Sequence, residues 1–276
     1  MWYIHPCRFF PMDKIMALDL VLDIGNSLIK GGIFEGKTLL NFFAIPATLA
    51  STEDLARHIR GKGITNVLIS SVNSKVEEPI IHALELQQIQ PILLDHTKLK
   101  LILDVDEPQQ LGHDRIANCY GALAQFPTND CIVIDIGTAI TADLVTKEGH
   151  YLGGMIYPGA TLCAKALADH TDKLPLVSIK KPESPLAKTT ETHLQGGIYY
   201  GQLGAIERLI AELKNTAYSP ISVKVIATGG ATRIDDTKAD SENAEFVDEL
   251  AELVDFINPH LTLIGMHEIL NELNLK

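Results

Sequence analysis

One eight-residue pattern occurs twice in this chain. Leu20-Val21-Leu22-Asp23-Ile24-Gly25-Asn26-Ser27 is echoed by Ile132-Val133-Ile134-Asp135-Ile136-Gly137-Thr138-Ala139, from position 20 to position 132. Each copy ends an apolar run on an aspartate, then reads Ile-Gly and two small residues. Each continues as a second β-like run, over residues 28–34 and 140–145, and reaches turn residues, Glu35-Gly36-Lys37 and Lys147-Glu148-Gly149. Apolar runs punctuated by glycine turns spell strand, tight turn, strand, turn, strand, written twice. Repetition at this spacing, rather than at 20–50 residues, means duplication of a whole fold and excludes a solenoid. At roughly 100–200 residues per domain, 276 residues make one large domain or two ordinary ones. We place the boundary near residues 127–130, giving halves at 17–127 and 128–276.

Helix-like and strand-like segments follow each hairpin unit, so the fold class is α/β. Residues 52–60 read as a helix capped by Ser51 or Thr52, 67–70 as a short buried strand and 76–88 as a second helix. In the second half, Leu194, Ile198, Ala205, Leu209 and Leu213 fall at helical spacing within residues 190–214. A strand over 223–227 runs into Thr228-Gly229-Gly230, and helical segments at 244–257 and 260–273 close the chain. Pro175, Pro182 and Pro185 mark an irregular loop.

Composition narrows the function. With 46% hydrophobic and 21% charged residues, the chain can bury a sizeable core, which excludes disorder, collagen and coiled coil. A formal net charge of −12 repels nucleic acid and anionic membrane, and neither is expected as a partner. Residues 235–255 hold nine acids against Lys238, which reads as a solvated loop and helix face. Cys7, Cys119, Cys131 and Cys163 form no CxxC pair, so neither a disulfide scaffold nor structural zinc is indicated. The longest uncharged stretch, 149–164, is broken by four glycines and Pro158 and is too short for the ~20 apolar residues of a membrane span. Residues 1–16 lack the continuous apolar segment of a secretion signal and read as an extension outside the fold. The expected location is the cytoplasm.

A tempting motif misleads. Gly31-Gly32-Ile33-Phe34-Glu35-Gly36-Lys37-Thr38 matches the P-loop pattern GxxxxGK[ST]. A P-loop must open a helix, because loop amides and the helix N-terminus build its anion site. Here the segment holds Ile33 and Phe34 and is followed by strand-like residues up to Pro46. The reading is a hairpin whose turn is Glu-Gly-Lys.

Other residues carry chemistry. Two Asp-Ile-Gly turns, one per half, suggest a nucleotide held between two lobes. Gly25 lets the backbone turn sharply and approach a ligand, and Asn26, Ser27 and Thr138 can donate to phosphate oxygens. Asp23 suits Mg²⁺ or its water shell, with the metal bridging to phosphate, and Lys30 could add positive charge. Each turn alone could be a plain β-turn; the matched pair favours the nucleotide. In Gly112-His113-Asp114-Arg115, an Asp placed before a helix-like stretch at 116–125 suits a base at a helix start, and Arg115 can grip a carboxylate bidentately. Taken alone, that segment reads equally as a helix cap with a surface ion pair, and His113 as an incidental residue. Thr228-Gly229-Gly230-Ala231 ends a strand in a glycine turn that makes room for a flat ligand such as adenosine.

Together these motifs resemble the type III pantothenate kinases, also called Bvg accessory factor-like proteins. The set comprises Asp23 to Ser27, Gly112 to Arg115 with Ala117-Asn118, and Asp135 to Ala139 with Thr141 and Asp143. It continues with Gly153-Gly-Met-Ile-Tyr-Pro-Gly159 and with Thr190-Glu191 followed by Gly197 and Gly201. The correspondence runs in order from about Leu18 to the C-terminus. It implies the duplicated actin/hexokinase-type (RNase H-like) two-domain fold with an ATP cleft between the domains, and a homodimer. It implies phosphorylation of pantothenate by ATP, the first step of coenzyme A synthesis, with Mg²⁺ and a monovalent cation, K⁺ or NH4⁺. By matching position, Asp114 is the catalytic base, Gly112, His113, Asp114, Arg115 and Thr190 contact pantothenate, and residues 23–30 with Thr138 contact ATP. Asp135 holds the monovalent cation and Asp23 holds Mg²⁺ through water. The chain departs from the family at His113, where a small residue is common, and at Val105, where many members carry Tyr. Residues 1–16 have no counterpart.

The expected mechanism is in-line transfer, with Asp114 taking the proton of the pantothenate primary hydroxyl. Two alternatives stand beside it: a kinase of the same superfamily for another small hydroxylated substrate, and a non-catalytic regulatory protein of the same fold. Intact Asp23, Asp114, Arg115 and Asp135 argue against the second. A filament-forming or chaperone-type ATPase is disfavoured by the short chain.

Overall fold

The computed structural model describes residues 17–49, 52–217, 222–233 and 243–274. The extension expected at 1–16 and four of the nine clustered acids (Asp235, Asp236, Asp240, Glu242) lie outside these residues. The chain forms two compact units, one ending at Leu93 and the other beginning at Leu94.

The first unit opens with three antiparallel strands, β1 (Leu18–Ile24), β2 (Leu28–Glu35) and β3 (Thr38–Pro46). Then come α1 (Thr52–Ile59), β4 (Ile64–Ser71), α2 (Ser74–Glu85) and β5 (Ile92–Leu93). The sheet order is β3-β2-β1-β4-β5, with β4 parallel to β1 and β5 parallel to β4. Leu20, Leu22 and Ile24 alternate along β1 and pack with Ile33, Leu55, Val67 and Ile80 in one core, the period-2 pattern of a strand. The P-loop lookalike is the expected hairpin: Glu35 pairs with Thr38 around Gly36-Lys37. A Cβ on Gly31 would collide with the Phe43 ring, so that glycine makes room for a core aromatic.

The second unit repeats the plan. After β6 (Ile102–Leu103) and α3 (His113–Gln125) come β7 (Cys131–Ile136), β8 (Ala139–Val145) and β9 (His150–Pro158). These are followed by α4 (Ala160–Asp169), α5 (Thr190–Thr216), β10 (Lys224–Thr228), α6 (Ala244–Ala251), β11 (Phe256–Ile257) and α7 (Leu261–Asn274). The order β11-β10-β7-β8-β9-β6 contains the first sheet's order, read backwards, with β6 added at one edge. One face carries Ile132, Ile134, Ile140, Ala142, Val225 and Ala227 against Ile206, Ile210 and Leu213 of α5. The opposite face receives α3, which packs on α7; a Cβ on Gly265 would collide with the Ala117 carbonyl, so the two helices touch at backbone distance.

Two sequence expectations change. The division falls after Leu93 rather than at 127–130, because β6 pairs with β9 and α3 packs on α7 and β7. The turn-rich residues at 127–130 are the tight link from α3 to β7, where the Asn129 amide donates to the Phe126 carbonyl. The helix expected over 244–257 ends at Ala251, and β11 takes a parallel place beside β10. Asp255 anchors that edge by accepting from the Val225 amide and the Lys224 ammonium.

Candidate active site

Asp135 is the penultimate residue of β7, and its ladder partners are Thr141 on β8 and Thr228 on β10. Residues directly opposite in a ladder share a face, so a carboxylate and two hydroxyls stand in one row on the α3 side. The Asn118 amide of α3 donates to Asp135 Oδ2 at 2.9 Å, and the Thr262 hydroxyl of α7 donates to Asn118 Oδ1 at 2.8 Å. The Thr228 hydroxyl is fully buried and has no hydrogen-bond partner among the described residues. Gly229, at φ 101°, carries the chain past this carboxylate; a Cβ there would collide with Asp135 Oδ1. Beyond β7, Gly137 and Thr138 form the exposed tip of the turn, closed by the Gly137 amide on the Ala139 carbonyl at 3.0 Å. The Gly159 amide at the start of α4 donates to the Thr138 carbonyl at 2.9 Å.

The start of α3 holds the next group. Gly112 precedes the helix without a side-chain cap, and Asp114 Oδ1 instead accepts the Arg115 amide at 2.8 Å. A carboxylate in the first turn is favoured by the helix dipole. Asp114 is exposed, while Arg115 reaches inward to Asp143 of β8. Burial disfavours the Arg115 guanidinium, but the bonds to Asp143 more than offset this and hold its pKa above the ordinary value. Burial and the Asp143 charge push the Tyr151 phenol up, so it stays a donor. Burial and the neighbouring His96 lower the His113 pKa, which keeps that ring neutral near pH 7.

The first unit presents the matching hairpin. Asp23 is penultimate in β1 and pairs with Lys30 on β2 and Ser70 on β4. Lys30 Nζ lies 3.7 Å from Asp23 Oδ2. The Gly25 amide closes the turn on the Leu28 carbonyl at 3.0 Å, leaving Asn26 and Ser27 exposed at its tip.

Sequence reasoning thus finds residues that the second unit joins by direct bonds: Asn118 with Asp135, and Arg115 with Asp143. Thr190 stands apart on the exposed first turn of α5, with no side-chain hydrogen bond among the described residues. Beside the Gly137 turn lies a cavity lined by Ile136, Thr161, Lys180, Tyr199, Ala231 and Phe246. Tyr199 and Phe246 meet edge to face with centroids 5.9 Å apart. Of the glycine turn at 228–231, Ala231 lines this cavity. The aromatic residues gave no signal, because they come from separate helices; Tyr151 was missed because it meets Asp143 from the neighbouring strand.

The profile of the family described as type III pantothenate kinase matches residues 19–212. The type III pantothenate kinase of Legionella pneumophila (strain Corby) is 33% identical over 258 residues, covering 90% of this chain and 96% of its own. A Campylobacter jejuni crystal structure, described as a conserved Baf family transcriptional activator, aligns at TM-score 0.55 and 23% identity over 93% of this chain and 100% of that one. A Listeria monocytogenes structure assigned as an N-acetylmannosamine kinase aligns at 0.51 and 14%, with 93% and 100% covered. These two likenesses show the fold, an actin/hexokinase-like α/β architecture built on two sheets. A profile that runs from β1 into α5, and a relative matched along nine-tenths of the chain, place this protein in the type III pantothenate kinase family.

Proposed function

We propose that the protein transfers the γ-phosphoryl group of ATP to the primary hydroxyl of pantothenate, the first step of coenzyme A synthesis. The observation that carries this reading is α3. Its first turn places the exposed Asp114 beside Arg115, and one turn later Asn118 grips Asp135. Phosphoryl transfer asks the protein mainly to position groups and neutralise charge, and one rigid helix ties an acceptor-side carboxylate to the second hairpin. Asp114, with Oδ1 tied to the Arg115 amide, uses Oδ2 to take the proton of the attacking hydroxyl. Arg115 binds the pantothenate carboxylate, with Gly112, His113 and Thr190 as further contacts. The exposed tip residues Asn26, Ser27 and Thr138 donate to phosphate oxygens, helped by Asp23, Gly25 and Lys30. The cavity beside Gly137 takes the adenosine end against Tyr199 and Phe246.

Two ions belong to this reading. Asp23 offers hard oxygens at the end of β1, with Lys30 Nζ 3.7 Å away. Mg²⁺ keeps several waters and takes one or two carboxylates plus substrate phosphates, which suits Asp23 as a water-mediated ligand. When bound, the ion neutralises phosphate charge. At Asp135 the buried Thr228 hydroxyl, without a hydrogen-bond partner among the described residues, stands opposite the carboxylate in the ladder, a donor set that fits a monovalent cation, K⁺ or NH4⁺. The working form in this reading is a cytoplasmic homodimer. No helix among the described residues is long and apolar enough to cross a membrane.

The test is ADP release by the full chain with ATP and Mg²⁺, comparing pantothenate with hexoses and Na⁺ with K⁺ and NH4⁺. Turnover is expected with pantothenate, and only with K⁺ or NH4⁺. Turnover on a hexose in place of pantothenate, or none on either, overturns the proposal.

A further inference from the structure

The guanidinium of Arg115 is already held from one side. Nε donates to Asp143 Oδ1 at 2.9 Å, and Nη2 donates to the same oxygen at 2.6 Å. The Tyr151 hydroxyl donates to that oxygen as well, at 2.8 Å, and its ring centroid lies 5.8 Å from the guanidinium carbon. Asp143 is 0% exposed and Tyr151 1%, yet Asp143 Oδ2 is buried with no hydrogen-bond partner among the described residues. Three donors from two side chains converge on one carboxylate oxygen. That is a poor design for stability, since a buried ion pair rarely outperforms apolar residues of similar volume. It is a good design for fixing the angle of a guanidinium. The neighbouring strand is thinned to admit it: a Cβ on Gly154 would collide with the Ala142 carbonyl and stand 2.7 Å from Asp143 Oδ1 and 2.9 Å from Arg115 Nη2.

We propose that Asp143 and Tyr151 are positioning residues for Arg115, holding its Nε edge so that the Nη1 end meets the substrate carboxylate. The substrate half of this statement rests on the function proposed above. The Nε–Nη2 edge is not available for a bidentate grip, as the sequence alone suggested; the carboxylate is taken end-on. Because that carboxylate is remote from the reacting hydroxyl, loosening the guanidinium weakens binding more than chemistry.

Steady-state kinetics of Tyr151→Phe and Asp143→Asn test this, with pantothenate and with its isosteric primary carboxamide as acceptors. Each substitution is expected to raise the KM for pantothenate roughly tenfold, the scale of one charge-assisted hydrogen bond. The KM for ATP should stay within about twofold, and the advantage of the acid over the amide should shrink. Equal losses for acid, amide and ATP mean a merely structural role and overturn the proposal. A second readout needs no turnover. The Arg115 Nε proton should exchange slowly by NMR in the substrate-free wild type and faster in both variants; an unchanged rate overturns the positioning role. If the wild type fails to phosphorylate pantothenate, the functional reading falls and the exchange rates alone decide this inference. Tyr151→Phe, which only removes a hydroxyl, carries both measurements should Asp143→Asn fail to fold.

Discussion

The two Asp-Ile-Gly hairpins share a backbone plan and differ in what flanks the aspartate. Asp23 has Lys30 and Ser70 as ladder partners; Asp135, in the same place on the second sheet, has Thr141 and Thr228. The first hairpin carries its own ammonium 3.7 Å from the carboxylate. The second surrounds its carboxylate with an amide from Asn118 and a buried hydroxyl from Thr228, with the Arg233 guanidinium feeling its charge. Duplication therefore kept the strands and divided the charge balance. One copy carries a cation covalently on the neighbouring strand, and the other has neutral amide and hydroxyl groups in its place.

The largest expected effect checks that neither hairpin aspartate is the base. Asp114→Asn should lower kcat by about 10²–10⁴-fold, with ATP affinity by calorimetry little changed; near-full turnover would move the base elsewhere. Next comes Asp135→Asn, expected to cost roughly 10²-fold and to erase the response to K⁺. Asp23→Asn should lose activity while keeping that response, and a K⁺ response lost in both variants would break the distinction between the hairpins. Lys30→Met should raise the KM for ATP roughly tenfold, the scale of one charge-assisted contact, without moving the K⁺ half-saturation point. The smallest effect is the sharpest. Thr228→Val removes a buried hydroxyl that has no partner among the described residues, so the cation-free protein should be unchanged or more stable by about 1 kcal/mol. The same variant should need several-fold more K⁺ and lose part of the K⁺-induced rise in Tm that selective binding to the folded state produces. Ser70→Ala, the matching change in the first unit, should do neither.

Much of this was legible beforehand because the signals are local. Alternating apolar runs and glycine turns located both hairpins, and helical spacing located α5 over residues 190–214, where the structure has Thr190–Thr216. The P-loop lookalike could be rejected from Ile33, Phe34 and the strand that follows. The division after Leu93 was hidden, because residues 94–127 join the second unit through the β6–β9 pairing and the α3–α7 contact, neither of which leaves a mark at the boundary. Residues 252–257 read as helix by apolar spacing, yet a pairing with β10 claimed Phe256 and Ile257. Arg115 was singled out, but its engagement by Asp143 and Tyr151 was not, since those partners come from neighbouring strands of a sheet.

By itself the chain's order of residues determined which segments become strands and helices, that the plan is written twice, and which carboxylates end the strands. Those are properties of short windows, where periodicity and turn chemistry act over a few residues. Tertiary structure alone decided which groups meet: Asn118 on Asp135, Tyr151 on Asp143, and a hydroxyl at Thr228 buried without a partner among the described residues. The charge and hydrogen-bonding state of a buried group depends on neighbours within a few ångströms. Here packing, not chain distance, selects those neighbours.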